Sequence, residues 1–397
     1  MATDRTIVIA GAGIGGLTAS LALAARGFRV IVLEKSDRLE EVGAGLQLSP
    51  NASRVLIDLG LGPRLNQTAI VPDAVGMMSA SRGGEVARLP LGSDATARAG
   101  APYWVIHRAD LQAALAAQVR DTPAIELRLG WHFENVTEEP GGVAVVTGNG
   151  FSRQKLSALA LIGADGIWSA VRNQLFPEVQ PRFSGLIAWR GTFDASRLPP
   201  DQTAREVRVW MGADAHLVAY PISAGRQINI VAIVTDSWNR PGWSAPGDLE
   251  EIKARFSRWP APAQTMIDLV EGWRRWALFT MRDGGVWSKG PVALLGDASH
   301  GMLPFAAQGA GMAIEDAAVL AAQLGEVFDP AAVPAALQRY AQHRRPRVAR
   351  VQQTARQNGQ LYHLGGPMAL ARDLVMRGLG PKLLARHSWI YDWRCER

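Results

Sequence analysis

Apolar positions along this chain follow two periodicities, and each occupies its own stretch. Thr6-Ile7-Val8-Ile9-Ala10 is a continuous apolar run, the pattern of a strand buried on both faces of a parallel sheet. Ile14 to Arg26, rich in alanine and leucine and closed by Gly27, predicts a helix, and Arg29-Val30-Ile31-Val32-Leu33 predicts a second strand. Together they make one βαβ unit. Two later runs, Ala158–Ile162 and Pro291–Leu295, repeat the buried-strand pattern and lead into Gly163-Ala164-Asp165-Gly166 and Gly296-Asp297. In open α/β sheets, ligands bind at the carboxyl ends of such strands.

A different pattern lies between these runs. Phe183–Phe193, Glu206–Met211, His216–Ile222 and Gln227–Thr235 read as strands, several with tryptophan. Arg226-Gln227-Ile228-Asn229-Ile230 alternates polar and apolar, as an antiparallel sheet buried on one side does. The expectation is a cofactor domain of 1–180 and 277–330, interrupted by a substrate domain of 181–276 that part of 70–100 joins. Residues 331–397 then form a helical region, with Pro346 predicted to kink it.

Composition sharpens this picture in three places. At 397 residues and 48% hydrophobic, the chain exceeds what one core usually holds, so two lobes are expected. The formal charge of +6 favours anionic partners. Much of it falls on Arg339, Arg344, Arg345, Arg347, Arg350 and Arg356, read as a solvated helix face. No nucleic-acid motif accompanies it. The single cysteine, Cys395, excludes an internal disulfide, a cysteine metal site and a redox-active cysteine pair. It suits a reducing compartment, with cytoplasm the expected location. The uncharged stretch 6–25 is broken early by Gly11, Gly13, Gly15 and Gly16, so neither a signal peptide nor a membrane span is expected.

Those glycines carry the first chemistry. Gly11-x-Gly13-x-x-Gly16 follows a strand, opens a helix, and is followed by Glu34 at the end of the next strand. Gly11 permits the tight turn, Gly13 lets a pyrophosphate approach, and Gly16 lets helix and strand pack closely. The phosphates meet the positive end of a helix, and Glu34 can accept from a ribose hydroxyl. This is a dinucleotide site, and by itself it does not distinguish FAD from NAD. No second glycine motif of this kind appears, which argues against a separate nicotinamide domain.

Four further segments carry a resemblance. Ile162-Gly163-Ala164-Asp165-Gly166-Ile167-Trp168-Ser169-Ala170-Val171-Arg172 is similar to the Asp-Gly motif of flavoprotein aromatic hydroxylases. Gly296-Asp297-Ala298-Ser299-His300, Pro304, Gln308-Gly309-Ala310-Gly311 and Glu315-Asp316-Ala317 resemble their Gly-Asp motif. His107-Arg108-Ala109-Asp110-Leu111 and Gly43-Ala44-Gly45-Leu46-Gln47-Leu48-Ser49-Pro50-Asn51 resemble two flavin-contacting segments. The match follows family order from residue 7 past 320. The family includes p-hydroxybenzoate, salicylate, 6-hydroxynicotinate and 3-hydroxybenzoate hydroxylases, and the salicylate-type members resemble this chain most.

The resemblance implies an α/β, p-hydroxybenzoate-hydroxylase-like fold: a Rossmann-type parallel FAD sheet, an inserted antiparallel substrate domain and C-terminal helices. It implies non-covalent FAD, held by Gly11, Gly13, Gly15, Gly16, Glu34, Lys35, Gln47, Arg108, Asp165, Asp297, Pro304, Gly309, Ala310 and Gly311. NADH or NADPH is the transient electron donor, and O₂ adds to reduced flavin to give a C4a-hydroperoxide that hydroxylates an aromatic ring. Physically, Asp297 at a strand end can accept from ribityl hydroxyls. A helix beginning near Gly311 offers unpaired amides to the flavin pyrimidine edge. Asp165 and Arg172 either support the nicotinamide dinucleotide or tie the lobes; a turn aspartate is the alternative for Asp165.

His216-Leu217-Val218-Ala219-Tyr220-Pro221 resembles the segment carrying a catalytic histidine and tyrosine in salicylate-type members. On a strand, positions 216, 218 and 220 share a face, so His216 and Tyr220 can serve one pocket; core packing is the alternative. Substrate contacts are expected from Gln47, Arg190, Trp210 and Pro304, with Arg190 for a carboxylate or equally as an interlobe ion partner, and Trp210 for a ring or for packing. Gln47 stands where 6-hydroxynicotinate enzymes have histidine, and Pro304 where a 3-hydroxybenzoate enzyme has glutamine, so neither exact substrate is implied. A polycyclic or non-aromatic substrate, or a reductase without oxygen insertion, are the rival readings. No metal, nucleic acid or membrane partner is expected, and the chain is read as a monomer or homodimer.

Overall fold

The structure is a computed structural model that describes residues 5–39, 45–199, 205–239, 244–380, 382 and 387–395. Gly43 and Ala44 lie outside the described residues.

A six-stranded sheet forms the cofactor lobe, in the order Ser288–Lys289, Val292–Leu294, Ala160–Gly163, Thr6–Ala10, Arg29–Glu34, Ile125–Leu129. Five of its strands are parallel, and Ser288–Lys289 is an antiparallel addition. Thr6–Ala10 sits inside this sheet and is buried along its whole length. Full burial of an Ile such as Ile7 or Ile9 stabilises the fold by roughly 1.5–3 kcal/mol, which is why the unbroken apolar run marks an interior strand. The run 158–162 divides: Ala158 ends the antiparallel strand Arg153–Ala158, and the parallel strand is Ala160–Gly163. The first helix ends at Ala24, two residues short of the expected Arg26, in a turn closed by Gly27 at φ +79°.

The second lobe is an eight-stranded sheet, in the order Ala245–Gly247, Trp273–Thr280, Arg182–Asp194, Gln227–Thr235, Ala215–Ile222, Glu206–Gly212, Ala74–Ser79, Glu85–Pro90. Its pairings are antiparallel except that of Glu206–Gly212 with Ala74–Ser79. Trp273–Thr280 runs across position 276, so the sheet continues beyond that residue. One face packs on the helices Leu249–Phe256 and Ala261–Leu269 through Trp189, Trp210, Leu217, Ile230, Phe256 and Met266. The opposite face looks toward the cofactor lobe.

The tail contains the helices Val333–Tyr362, Gly366–Leu379 and Ser388–Tyr391. Pro346 does not interrupt the 30-residue helix. Both Pro346 and Gln342, whose carbonyl loses its partner, are exposed, so water can replace the missing bond. The arginine run is not a uniformly solvated face either. Arg344 is 1% exposed, its Nη1 donating to Glu315 at 2.6 Å and its Nε to Asp316 at 2.7 Å. Arg347 also pairs with Glu315. Among the described residues no helix is long and apolar enough to cross a membrane.

Candidate active site

The glycine turn is pressed on one side and open on the other. Gly11 has φ +105°, and a Cβ there would overlap the Ala164 carbonyl. A Cβ on Gly16 would overlap the Gly11 carbonyl, and one on Gly15 would meet Leu295 Cδ2 at 2.7 Å. At Gly13 a Cβ would meet nothing within 4 Å. The helix Ile14–Ala24 starts there without a side-chain cap, so its first amides are free to bind an anion. Glu34 is half-buried beside the turn, accepting from the Ala12 amide at 2.9 Å and the Ser36 amide at 3.0 Å. Lys35 is exposed.

A second cradle faces the same strand ends. Asp297 is exposed between buried neighbours, in a short turn that Gly296 enters at φ +64°. Buried ions hold that turn from behind. The Gly296 amide donates to Asp316 Oδ2 at 3.1 Å, His300 Nε2 lies 2.6 Å from the same oxygen, and Arg344 takes the other. The helix Gly309–Gly325 starts two residues earlier than expected. Its N-cap residue Gln308 turns its side chain to Ser49 (2.8 Å) and Asn51 (3.2 Å). The amides of Gly309, Ala310 and Gly311 therefore stay uncapped, and a Cβ on Gly309 would meet nothing. Arg108 lies near Asp297; burial lowers its pKa and Asp297 opposes that.

Two free helix starts, two carboxylates and an uncrowded Gly13 fit a flavin dinucleotide. Asp165 is placed differently. Its Oδ2 accepts from the amides of Ala170 (2.7 Å) and Val171 (3.2 Å), and burial raises its pKa. Arg172 donates to the carbonyls of Ile167, Val179 and Ala298. The geometry thus gives Asp165 a helix-capping role, while Arg172 ties the Asp-Gly loop to the Asp297 turn.

Strand register decides what faces the flavin from the other lobe. His216 pairs with Ile233, Val218 with Val231, and Tyr220 with Asn229; Ile233 and Val231 pair in turn with Ala188 and Arg190. These residues share one face, and Phe305, from the Leu303–Ala306 turn that carries half-buried Pro304, packs on it with Ala188, Val231 and Ile233. The short strand Gly45–Leu48 closes a further side. Its Gly45 amide donates to Asn229 Oδ1 at 2.7 Å, and a Cβ on Gly45 would strike Tyr220 at 2.6 Å. Gln47 Oε1 accepts from Tyr103 Oη at 2.6 Å.

The charges here are shielded from water. Burial raises the Tyr220 phenol well above its usual range, with Arg190 opposing. Burial lowers Arg190; Tyr220 opposes that and Arg108 adds to it. Arg190 stands 5.5 Å from the Trp276 ring, and its Nε is buried without a hydrogen-bond partner. His216 is 2% exposed. Burial, then His363, pushes its imidazole well below the ordinary value.

Trp210 goes the other way. It pairs with Leu217 and is buried in the helix-covered core, on the face away from Arg190. The strands Gln227–Thr235 and Ala215–Ile222 lie between the strands of Trp210 and Arg190. Residues not singled out from the sequence complete the pocket. Tyr103 lies near Tyr391, Tyr220 and Tyr362, with burial and then those tyrosines raising it. His363 Nε2 is 2.8 Å from His216 Nδ1. No local motif marks them, because they come from separate segments brought together by the tail.

The chain matches the family described as FAD binding domain over residues 4–355. It is 36% identical over 389 residues to 3-hydroxybenzoate 6-hydroxylase 1 of Aquipseudomonas alcaligenes, covering 98% of this chain and 97% of that protein. It is 37% identical over 390 residues to a 3-amino-4-hydroxybenzoate 2-monooxygenase of Streptomyces platensis, covering 98% and 96%. A solved salicylate hydroxylase in complex with substrate superposes with a TM-score of 0.83 at 28% identity, covering 99% of this chain and 96% of that one. The parallel sheet and the antiparallel sheet are arranged as the family motifs implied, and the protein belongs to the FAD-dependent aromatic-ring hydroxylases, which are NAD(P)H-driven monooxygenases.

Proposed function

We propose that this enzyme hydroxylates a small phenolic or N-heteroaromatic carboxylate. The observation that carries this reading is the shared face of Arg190, Tyr220 and His216 opposite the Leu303–Ala306 turn. A half-buried arginine whose Nε is buried and unpartnered suits a carboxylate, and two proton-handling groups on the same face suit a phenol. Relatives named for 3-hydroxybenzoate, 3-amino-4-hydroxybenzoate and 6-hydroxynicotinate act on rings of this class.

Bound FAD supplies hydride acceptance from NAD(P)H and oxygen activation. This chain's residues bind and orient. Gly11, Gly13, Gly15, Gly16 and the first amides of helix Ile14–Ala24 hold the pyrophosphate, with Glu34 on the ribose. Asp297 holds ribityl hydroxyls, and the amides of Gly309–Gly311 face the flavin ring. Arg190 anchors the carboxylate, and Tyr220 and Gln47 line the ring. His216, neutral because it is buried, takes the phenol proton, which makes the ring electron-rich. The lone cysteine is in keeping with a cytoplasmic enzyme, as monomer or homodimer.

The test is a screen of hydroxybenzoates and hydroxypyridine carboxylates for stimulated NADH and NADPH oxidation under ¹⁸O₂, with product mass. The expected product gains one labelled oxygen. NAD(P)H oxidation yielding only peroxide or an unlabelled oxidised product across the whole set would overturn the reading.

A further inference from the structure

The buried end of the pocket holds a second histidine that binding and hydride transfer do not use. His216 Nδ1 and His363 Nε2 are 2.8 Å apart, a full hydrogen bond between two imidazoles. Among the described residues, no hydrogen bond is made by His216 Nε2 or by His363 Nδ1. His216 is walled by the rings of Phe305 and Tyr362, 5.0 and 5.5 Å away. His363 is half-buried at the end of helix Val333–Tyr362, and its carbonyl accepts from the amide of exposed Asp214 at 3.3 Å. Asp214 also favours the charged form of His363, against burial. The line therefore runs from the pocket face to the hairpin turn at exposed Ala213 and Asp214.

Resting on the proposed phenolic substrate, we infer that His363 is a positioning residue that relays the phenol proton from His216 to solvent beside Asp214. In the starting state His216 Nδ1–H donates to His363 Nε2, which leaves the lone pair of His216 Nε2 for the phenol. The phenol O–H bond breaks and its proton joins His216 Nε2. The Nδ1 proton crosses to His363 Nε2, and the His363 Nδ1 proton leaves to water. The phenolate keeps the electron pair, one proton appears in bulk, and both rings end in the opposite tautomer. When the hydroxylated ring re-aromatises, its oxygen regains a proton and the same steps in reverse restore both tautomers. Without the second ring, a proton on His216 would be held as a cation in an apolar wall, an expensive state.

Among the described residues, the charged or titratable groups facing the pair are Tyr362, pushed up to about 12 by burial, and Asp214.

The test mixes the oxidised FAD enzyme with 3-hydroxybenzoate, or whichever phenolic acid the wild type hydroxylates, in weak buffer with a pH indicator. His363→Gln keeps a hydrogen-bonding side chain against His216 but cannot pass a proton. Proton release should slow by about 10-fold or more, and regain its rate as pH rises and hydroxide substitutes. Flavin reduction by NAD(P)H with benzoate bound, which carries no phenol proton, should be unchanged. Asp214→Asn, whose side chain tolerates the positive φ of 56° there, should give a smaller slowing and guards against a folding defect in the first variant. Proton release at wild-type rate in both variants overturns the relay while hydroxylation by the wild type stands. So does a loss of flavin reduction in step with proton release. A wild type that hydroxylates no phenolic acid removes the proposed function itself, and the relay with it.

Discussion

Replacing Arg190 with glutamine tests the carboxylate site directly. The guanidinium sits where burial disfavours charge, next to Tyr220 and Arg108, so a bound carboxylate gains from charge-assisted bonds largely free of water. Such bonds contribute about 1.5–3 kcal/mol each, and removing one partner of a buried charged pair costs about 2–5 kcal/mol. Arg108 is close enough to replace part of the lost charge, which moves the expectation to roughly 2–4 kcal/mol, or about 30- to 700-fold in Kd. The assay is a titration followed by the flavin absorbance change, using 3-hydroxybenzoate and the neutral 3-hydroxybenzamide. The acid should lose affinity by that factor and the amide by less than about 3-fold, because the ring contacts are unchanged. An equal loss for both ligands would mean that the variant has merely deformed the pocket. No loss for either would place the carboxylate elsewhere.

Two further outcomes follow from the same geometry. Asp297→Ala should weaken FAD by about 10- to 100-fold through lost charge-assisted bonds, read by flavin fluorescence on reconstitution; an unchanged Kd would falsify its role on the ribityl chain. Stability should fall on mild acidification, because His216 and His363 are both held below their ordinary value of 6.5 in the fold. The unfolded chain then binds protons that the native chain refuses, so stability is level above about pH 6.5 and declines below it by up to about 1.4 kcal/mol per pH unit per group. Urea midpoints at pH 7.5 and 5.5 measure this, and His216→Gln should shrink the difference; an identical difference in the variant refutes the assignment.

The cofactor lobe could be read from the chain because each of its signals is local. An interior strand is apolar throughout, and the glycine turn, helix and Glu34 follow within one βαβ unit. The candidate substrate face was half legible. Alternation correctly put His216 and Tyr220 together, but alternation within a strand does not say which side faces the flavin. Trp210 fell on the wrong side for that reason: its parity is fixed by pairing with Leu217 across the hairpin, and pairing is a tertiary fact. Arg344 looked solvated because its sequence neighbours are. Its partners Glu315 and Asp316 are on another helix, and only the packing of the two helices shows the ion cluster. The tyrosines and His363 are further cases, with three separate segments supplying one pocket wall.

The strand order of the cofactor sheet also bears on the chain's birth. Thr6–Ala10 is made first, yet it is a middle strand, and Ala160–Gly163 stays an open edge until Val292–Leu294 exists to cover it. At about 5–20 residues per second of synthesis, that wait is roughly 6–26 s. Throughout it the nascent chain presents an apolar strand edge, Ala160-Leu161-Ile162, of the kind that recruits other chains. Translation products that stop short of residue 292 should therefore be insoluble and chaperone-dependent, even though they already contain the entire glycine turn.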